Sequence, residues 1–484
     1  MVDVDQGRPG GLRKNVMGVP HMVFLVIAFS APLAASATQV PISLAAGNGI
    51  GAPGMWLVTG VILVIFSFGY ATMSRRITNS GAFYAYITAG LGRRAGLGSG
   101  YVALIAYTAA VIYIGAFFGV FASELVASLT GITIHWLVLG VAGLLIVLVL
   151  AILGVRTSMR LLAVMIVLET ALLLAINIGI FVQAGPQAYS LEVFNPVNVF
   201  AQPVGLTFAF VVATFLGFEA TAIFGEEAKD PKRTVPRATI LAVIIISVLY
   251  TVTAWSSVAA LGIDNAVEAA RAEPSTLFFT ISANTLGAWS EILLNILVVT
   301  SLFAVLIAGH NAAARYVYSL GRDGWLPSKL GAVHRRFQTP HIAAYVQMAV
   351  SVIVLLAFGL AGADPFLELG ATFVGLQVLG IMGLAVLVSV AVIVFFRRNK
   401  DSNATVWNSI IAPAISVVAL LVACVALVAN FGAITGSDSI VISLLPLLLL
   451  IAFVVGVIVA GRKKGAVDGE ADSSPDRVPD RETT

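Results

Sequence analysis

The chain is built from blocks of about twenty or more mostly apolar residues, each closed by a short polar stretch. A helix advances about 1.5 Å per residue, so a hydrocarbon core about 30 Å thick calls for segments of that length. The blocks predict spans at 17–46, 53–73, 96–128, 135–154, 158–184, 198–224, 236–262, 286–316, 340–361, 366–396, 407–430 and 439–460. Hydrophobic residues fill 59% of 484 positions and charged residues 11%, whereas soluble domains carry roughly 25% charge. The reading is an all-α integral membrane protein of about twelve transmembrane helices, with the bilayer as its solvent.

Twelve crossings return both termini to one side. Positive charge is retained on the cytoplasmic side during insertion, and of 27 basic residues only Arg271 falls in a loop of the opposite set. Both termini are therefore expected in the cytoplasm, in a cell membrane. The first block is long, is interrupted by Pro32 and Pro41, and precedes further spans, so it is expected to be retained and not cleaved as a signal. Residues 1–14 and 463–484 are polar and read as tails, leaving 15–462 as one membrane domain; a short surface helix is expected over Asp264–Glu273. The net charge of +3 follows from the topological bias and gives no reason to expect nucleic acid. The single cysteine, Cys424, lies in an apolar span and offers neither a disulfide nor a metal site.

Two spans look interrupted. Span one contains Ser30-Ala31-Pro32-Leu33-Ala34-Ala35-Ser36, a proline among small residues; span six contains Phe215-Leu216-Gly217-Phe218-Glu219, a glycine and a carboxylate in apolar surroundings. Proline removes a helical hydrogen bond and glycine eases unwinding. Main-chain groups freed in hydrocarbon need a cavity, a ligand or a neighbouring helix to satisfy them. Each feature alone is compatible with a simple kink or close helix packing; the two together, five spans apart and therefore oppositely directed, point to a transport site between inverted repeats.

Several runs resemble the amino acid, polyamine and organocation permease superfamily. These are Gly217-Phe218-Glu219 with Glu226-Glu227-Ala228-Lys229-Asp230-Pro231-Lys232-Arg233-Thr234-Val235-Pro236, then Ser80-Gly81-Ala82-Phe83-Tyr84-Ala85-Tyr86, and Gly321-Arg322-Asp323-Gly324-Trp325-Leu326-Pro327. The resemblance implies the leucine-transporter fold: a five-plus-five inverted repeat with broken helices one and six, plus two peripheral helices. A substrate carboxylate would meet N–H groups near Ala34, Ala35 and Ser36; its ammonium would meet carbonyls around Ala31, Pro32 and Ala213, Thr214 and Phe215, beside Gly217. Spans three, six and eight would read the side chain, with Tyr107, Tyr113 and Phe215 as aromatic candidates. The run Ser80–Gly90 would form a short helix on the cytoplasmic side. Two departures stand out: Ala34-Ala35-Ser36 replaces the usual glycine-serine-glycine triplet, and Glu169 stands where some proton-coupled relatives carry a lysine.

Ionisable groups inside spans are costly, about 2.5–3.5 kcal/mol at a helix centre on insertion scales, and mark function by default. Glu169 lies near the middle of span five and Glu219 just beyond the break in span six. Either could carry a coupling proton, and either could serve as a fixed hydrogen-bond strut. Glu124, Glu291 and Glu368 fall nearer span ends, and His310 is expected to face a loop. Sodium coupling would need oxygen ligands, for which Thr300 and Ser301 are available.

No phosphate loop, metal cluster or cofactor motif appears, and five scattered histidines form no catalytic constellation, which argues against a pump or an enzyme. A channel would be expected to show a filter motif or a row of gating arginines, and neither is present. The expected function is secondary active import of amino acids by alternating access, with protons as the coupling ion. An amino acid or amine exchanger and a polyamine importer remain alternatives.

Overall fold

The computed structural model describes residues 18–77, 82–154, 159–215, 217, 228–399, 404–434 and 440–462. Glu219 and the Glu226-Glu227 part of the motif lie outside the described residues, as do most of the residues assigned to the tails. Nine helices among those described are long and apolar enough to cross a membrane, and shorter apolar segments supply the rest. Span one is divided into α1 (Val19–Ser30) and α2 (Pro32–Ala45). Span two is α3 (Ala52–Ser74), followed by a short α4 (Ala82–Leu91). Spans three to five are α5 (Arg93–Thr130), α6 (Trp136–Leu153) and α7 (Met159–Ala184).

The described helix of span six is α8 (Val204–Thr214), only 11 residues long, shorter than the predicted block because the chain leaves helical geometry at Phe215. Span seven is α9 (Pro231–Leu261). Two short helices, α10 (Ala266–Ala272) and α11 (Leu277–Leu286), follow it. Spans eight to twelve are α12 (Ala288–Arg322), α13 (His341–Leu360), α14 (Ala371–Arg398), α15 (Ala412–Ala429) and α16 (Leu445–Arg462). Helix α11 was not anticipated from the sequence, where the polar residues around it read as a loop. Its Leu277, Phe278, Phe279 and Ile281 are all buried, so packing and not hydropathy of a long window places it.

The order of elements repeats five spans apart. The 10-residue α4 follows span two and the 10-residue α11 follows span seven. Helix α4 packs on spans three and ten, and α11 packs on spans eight and five, which are the corresponding partners. The longest described helices, α5 with 38 residues and α12 with 35, are also five spans apart and lie against each other. Spans two and seven pair in the same manner, as a two-fold relation between the halves requires. Because five crossings is an odd number, the second half runs inverted.

Burial separates scaffold from periphery. Within the most apolar window of α5, 72% of residues are inside the protein, against 28% for the span that ends in α15. Exposed valines and leucines such as Val418, Val422 and Val425 on α15 meet hydrocarbon at no penalty. The core is one continuous cluster that includes the second half of span one, with Leu33, Ala37, Val40 and Ile42 fully buried.

Candidate functional site

Span one breaks at a single residue. Ala31 adopts the left-handed conformation, φ 44° and ψ 67°, and Pro32 then occupies the first position of α2. An L-residue in that region costs roughly 1–2 kcal/mol, while proline at a helix start loses nothing, since that N–H has no helical partner anyway. The first bond of α2 runs from Ala35 N–H to the Ala31 carbonyl at 2.9 Å. The N–H groups of Leu33 and Ala34 therefore find no acceptor among the described residues. They point from the positive end of a 14-residue helix.

On the other side of the break, the Ser30 carbonyl is not left free. Tyr250 of span seven donates its hydroxyl to it at 2.8 Å, and the Tyr250 ring meets Phe215 edge-on with centroids 6.0 Å apart. One side chain thus touches both discontinuities. In span six, α8 ends at Thr214, Phe215 N–H donates to Val212 O at 3.0 Å, and Gly217 has φ 102°, a conformation that side-chain-bearing residues rarely adopt. Thr214 is held in place by a hydrogen bond from Trp56 Nε1 of span two at 3.3 Å.

Between the two breaks lies a cavity of about 50 Å³ as traced by the centre of a water molecule. Of the residues proposed from the sequence, Ala31, Ala34, Ala35, Ala213 and Thr214 line it, as does Tyr113. Pro32, Ser36, Phe215, Gly217 and Tyr107 do not. Ser36 is fully buried and outside the lining, with no partner for its hydroxyl among the described residues. Tyr107 sits lower on α5 and stacks on Tyr316 at 5.6 Å. The lining hydroxyls of Ser30, Thr38 and Thr214 are turned back onto carbonyls of their own helices, at 3.0, 2.8 and 2.6 Å. Residues missed by sequence reasoning include Gln39 from α2 and Leu302 and Val305 from α12. Gln39 stands four positions after Ala35 in α2, about one helical turn that returns it to the same face, and that spacing was the available signal.

Glu169 is 3% exposed, and Ser301 of span eight donates to its Oε2 at 3.0 Å. Tyr250 is within its electrostatic reach. Two hydrogen bonds thus lie near each other: Ser301 of span eight to Glu169 of span five, and Tyr250 of span seven to the Ser30 carbonyl at the break in span one. Thr300 lies elsewhere: it is exposed and bonded to Ile296 and Leu297 carbonyls of its own helix. His310 departs from expectation too. It is fully buried, not facing a loop, because α12 continues to Arg322, and its Nδ1 pairs with Gln347 of span nine, which in turn donates to Ser351 at 3.0 Å.

At the basic end of the helices, the start of α5 and the segment that follows α12 are fastened together. The Arg93 guanidinium lies 4.9 Å from the Trp325 ring centre and the Tyr101 hydroxyl donates to the Trp325 carbonyl at 2.8 Å. Burial, with the Asp323 carboxylate nearby, pushes the Tyr84 phenol above its ordinary range. The Gly321–Pro327 motif thus forms part of a contact between the two repeats.

The family model described as amino acid permease matches residues 22–458, which takes in both breaks and these two hydrogen bonds. The chain belongs to the amino acid permease family. Among proteins this permease resembles, the methylthioribose transporter of Bacillus subtilis is 26% identical over 369 residues, 72% of this chain and 74% of that protein. The branched-chain amino acid permease BcaP of Lactococcus lactis is 25% identical over 354 residues, covering 69% and 74%. The human cystine/glutamate transporter is 27% identical over 337 residues, covering 68% and 66%. The permease is accordingly a multi-pass membrane transporter of amino acids or related substrates.

Proposed function

We propose that this permease imports amino acids across the cytoplasmic membrane by alternating access, in symport with protons, with both termini in the cytoplasm. The observation that carries the reading is the cavity between the two helix breaks, with the N-terminal end of α2 at its edge and a buried carboxylate, Glu169, near the tyrosine that bonds to the break in span one. A substrate carboxylate would occupy the positive end of α2, as anions do at helix N-termini. Residues Ala34 and Ala35 border that position, and Ala31, Ala213 and Thr214 border the other end.

Glu169 is the coupling group in this reading. Its single described hydrogen bond, from Ser301, leaves it able to gain or lose a proton as the helices around it rearrange. The neighbouring Tyr250 connects that change to the main chain of span one. Coupling of this kind needs only that the two conformations differ in proton affinity and substrate affinity.

The test is uptake by purified permease in liposomes with imposed proton, sodium and counter-substrate gradients. An inward proton gradient should drive accumulation, and Glu169→Gln should retain exchange while losing accumulation against a gradient. Accumulation that depends only on internal substrate would replace symport by exchange, and dependence on sodium would remove the proton from the mechanism.

A further inference from the structure

The described lining of the central cavity contains no Asp, Glu, Lys, Arg or His. From α2 come Ala34, Ala35, Thr38 and Gln39; from α5 come Tyr113, Ile114 and Phe117; from α12 come Leu302 and Val305. The hydroxyls of Thr38 and Thr214 are already committed to carbonyls of their own helices. Apart from the main-chain donor of Ala34, the side-chain polar groups left for a ligand among the described lining residues are the Gln39 amide and the Tyr113 hydroxyl, both uncharged. Glu169, which accepts from Ser301, is not part of this lining.

In the transport reading the carboxylate of a zwitterion is met by the helix N-terminus, but a further charge on the substrate side chain would find no counter-charge among the described residues of the lining. Leaving a buried charge unpaired is heavily penalised. The apolar wall from spans three and eight accepts a hydrocarbon side chain with no such penalty. Size sharpens the selection: the centre of a water molecule can move through only about 50 Å³, which suits a small side chain better than a long one.

Resting on the transport reading above, we propose that this site selects small neutral α-amino acids, of the size of alanine to valine, and rejects acidic and cationic amino acids and polyamines. Ile114, Phe117, Leu302 and Val305 set that selectivity by offering hydrocarbon where a charged side chain would need a partner.

The experiment is initial-rate uptake in liposomes of labelled alanine, serine, valine, lysine, glutamate and putrescine at equal concentration. Alanine, serine or valine should exceed each charged compound by about 100-fold or more, the scale of an unpaired buried charge. Val305→Asp should lose alanine uptake and gain lysine uptake by at least about tenfold relative to wild type, while Val305→Asn should keep lysine excluded. Val305→Ala, a change the helix tolerates without adding charge, should shift preference toward larger neutral side chains by about tenfold and still exclude lysine and glutamate. Comparable uptake of lysine, glutamate or putrescine by the wild type, or entry of lysine through Val305→Ala, would overturn the selectivity and leave the transport reading standing. No uptake of any compound would overturn both.

Discussion

The break in span one and the break in span six reach a similar end by different chemistry. At the first, an alanine is held left-handed and a proline restarts the helix, so the geometry is forced by a ring and maintained by its surroundings. At the second, α8 stops at Thr214 and Gly217 takes a positive φ that suits a residue without a side chain. The first break carries its strain in Ala31 and has the Ser30 carbonyl held by Tyr250. The second needs no strained side chain, and its last helical residue is steadied by Trp56. A break set by proline and tertiary contacts is suited to a fixed binding end, whereas one set by glycine permits a change of path at little conformational cost.

Three substitutions put that contrast under pressure. Gly217→Val should have the largest effect, since a β-branched residue at φ 102° is strained by about 2–3 kcal/mol; thermal unfolding in detergent should fall and uptake should drop by more than about tenfold. If both were unchanged, the second break would not depend on glycine. Tyr250→Phe keeps the ring against Phe215 but removes the donor to Ser30. Stranding a buried acceptor costs about 1–3 kcal/mol, so stability should fall modestly and proton-driven uptake should fall further than exchange does. Equal loss of the two would show that Tyr250 holds the fold without linking Glu169 to span one. Ala31→Gly relieves left-handed strain but frees the unfolded chain, a net gain of about 0.5 kcal/mol. A small rise in melting temperature with near-normal uptake is expected, and a clear loss would mean that the methyl group of Ala31, which lines the cavity, contacts substrate.

Local rules made much of the fold readable. Apolar block length located the spans, and the Pro32 and Gly217 neighbourhoods located the breaks, because hydropathy and backbone freedom are properties of short segments. Ala31, Ala34, Ala35, Ala213 and Thr214, which line the cavity, were named through the family resemblance and not by these rules. Tyr250 did not, since it lies 220 residues from Ser30 along the chain and looks like any aromatic in an apolar helix. Ser301 was available as an oxygen ligand for sodium; its bond to Glu169, 132 residues away, could not be seen in the sequence. Helix α11 and the burial of His310 escaped for a related reason: their surroundings come from other spans, which no window of sequence contains.

The short helix α10 packs on α2, and Arg271 donates to the Ala45 carbonyl at 3.1 Å, at the end of α2 remote from its break. The cation also sits favourably at the negative end of that helix. Any tilt of α2 must then drag α10 along or snap this tether. A fluorophore attached at the exposed Glu268 would consequently act as a remote gauge, turning a concealed rearrangement at the centre of the protein into an optical readout without a label anywhere near the cavity.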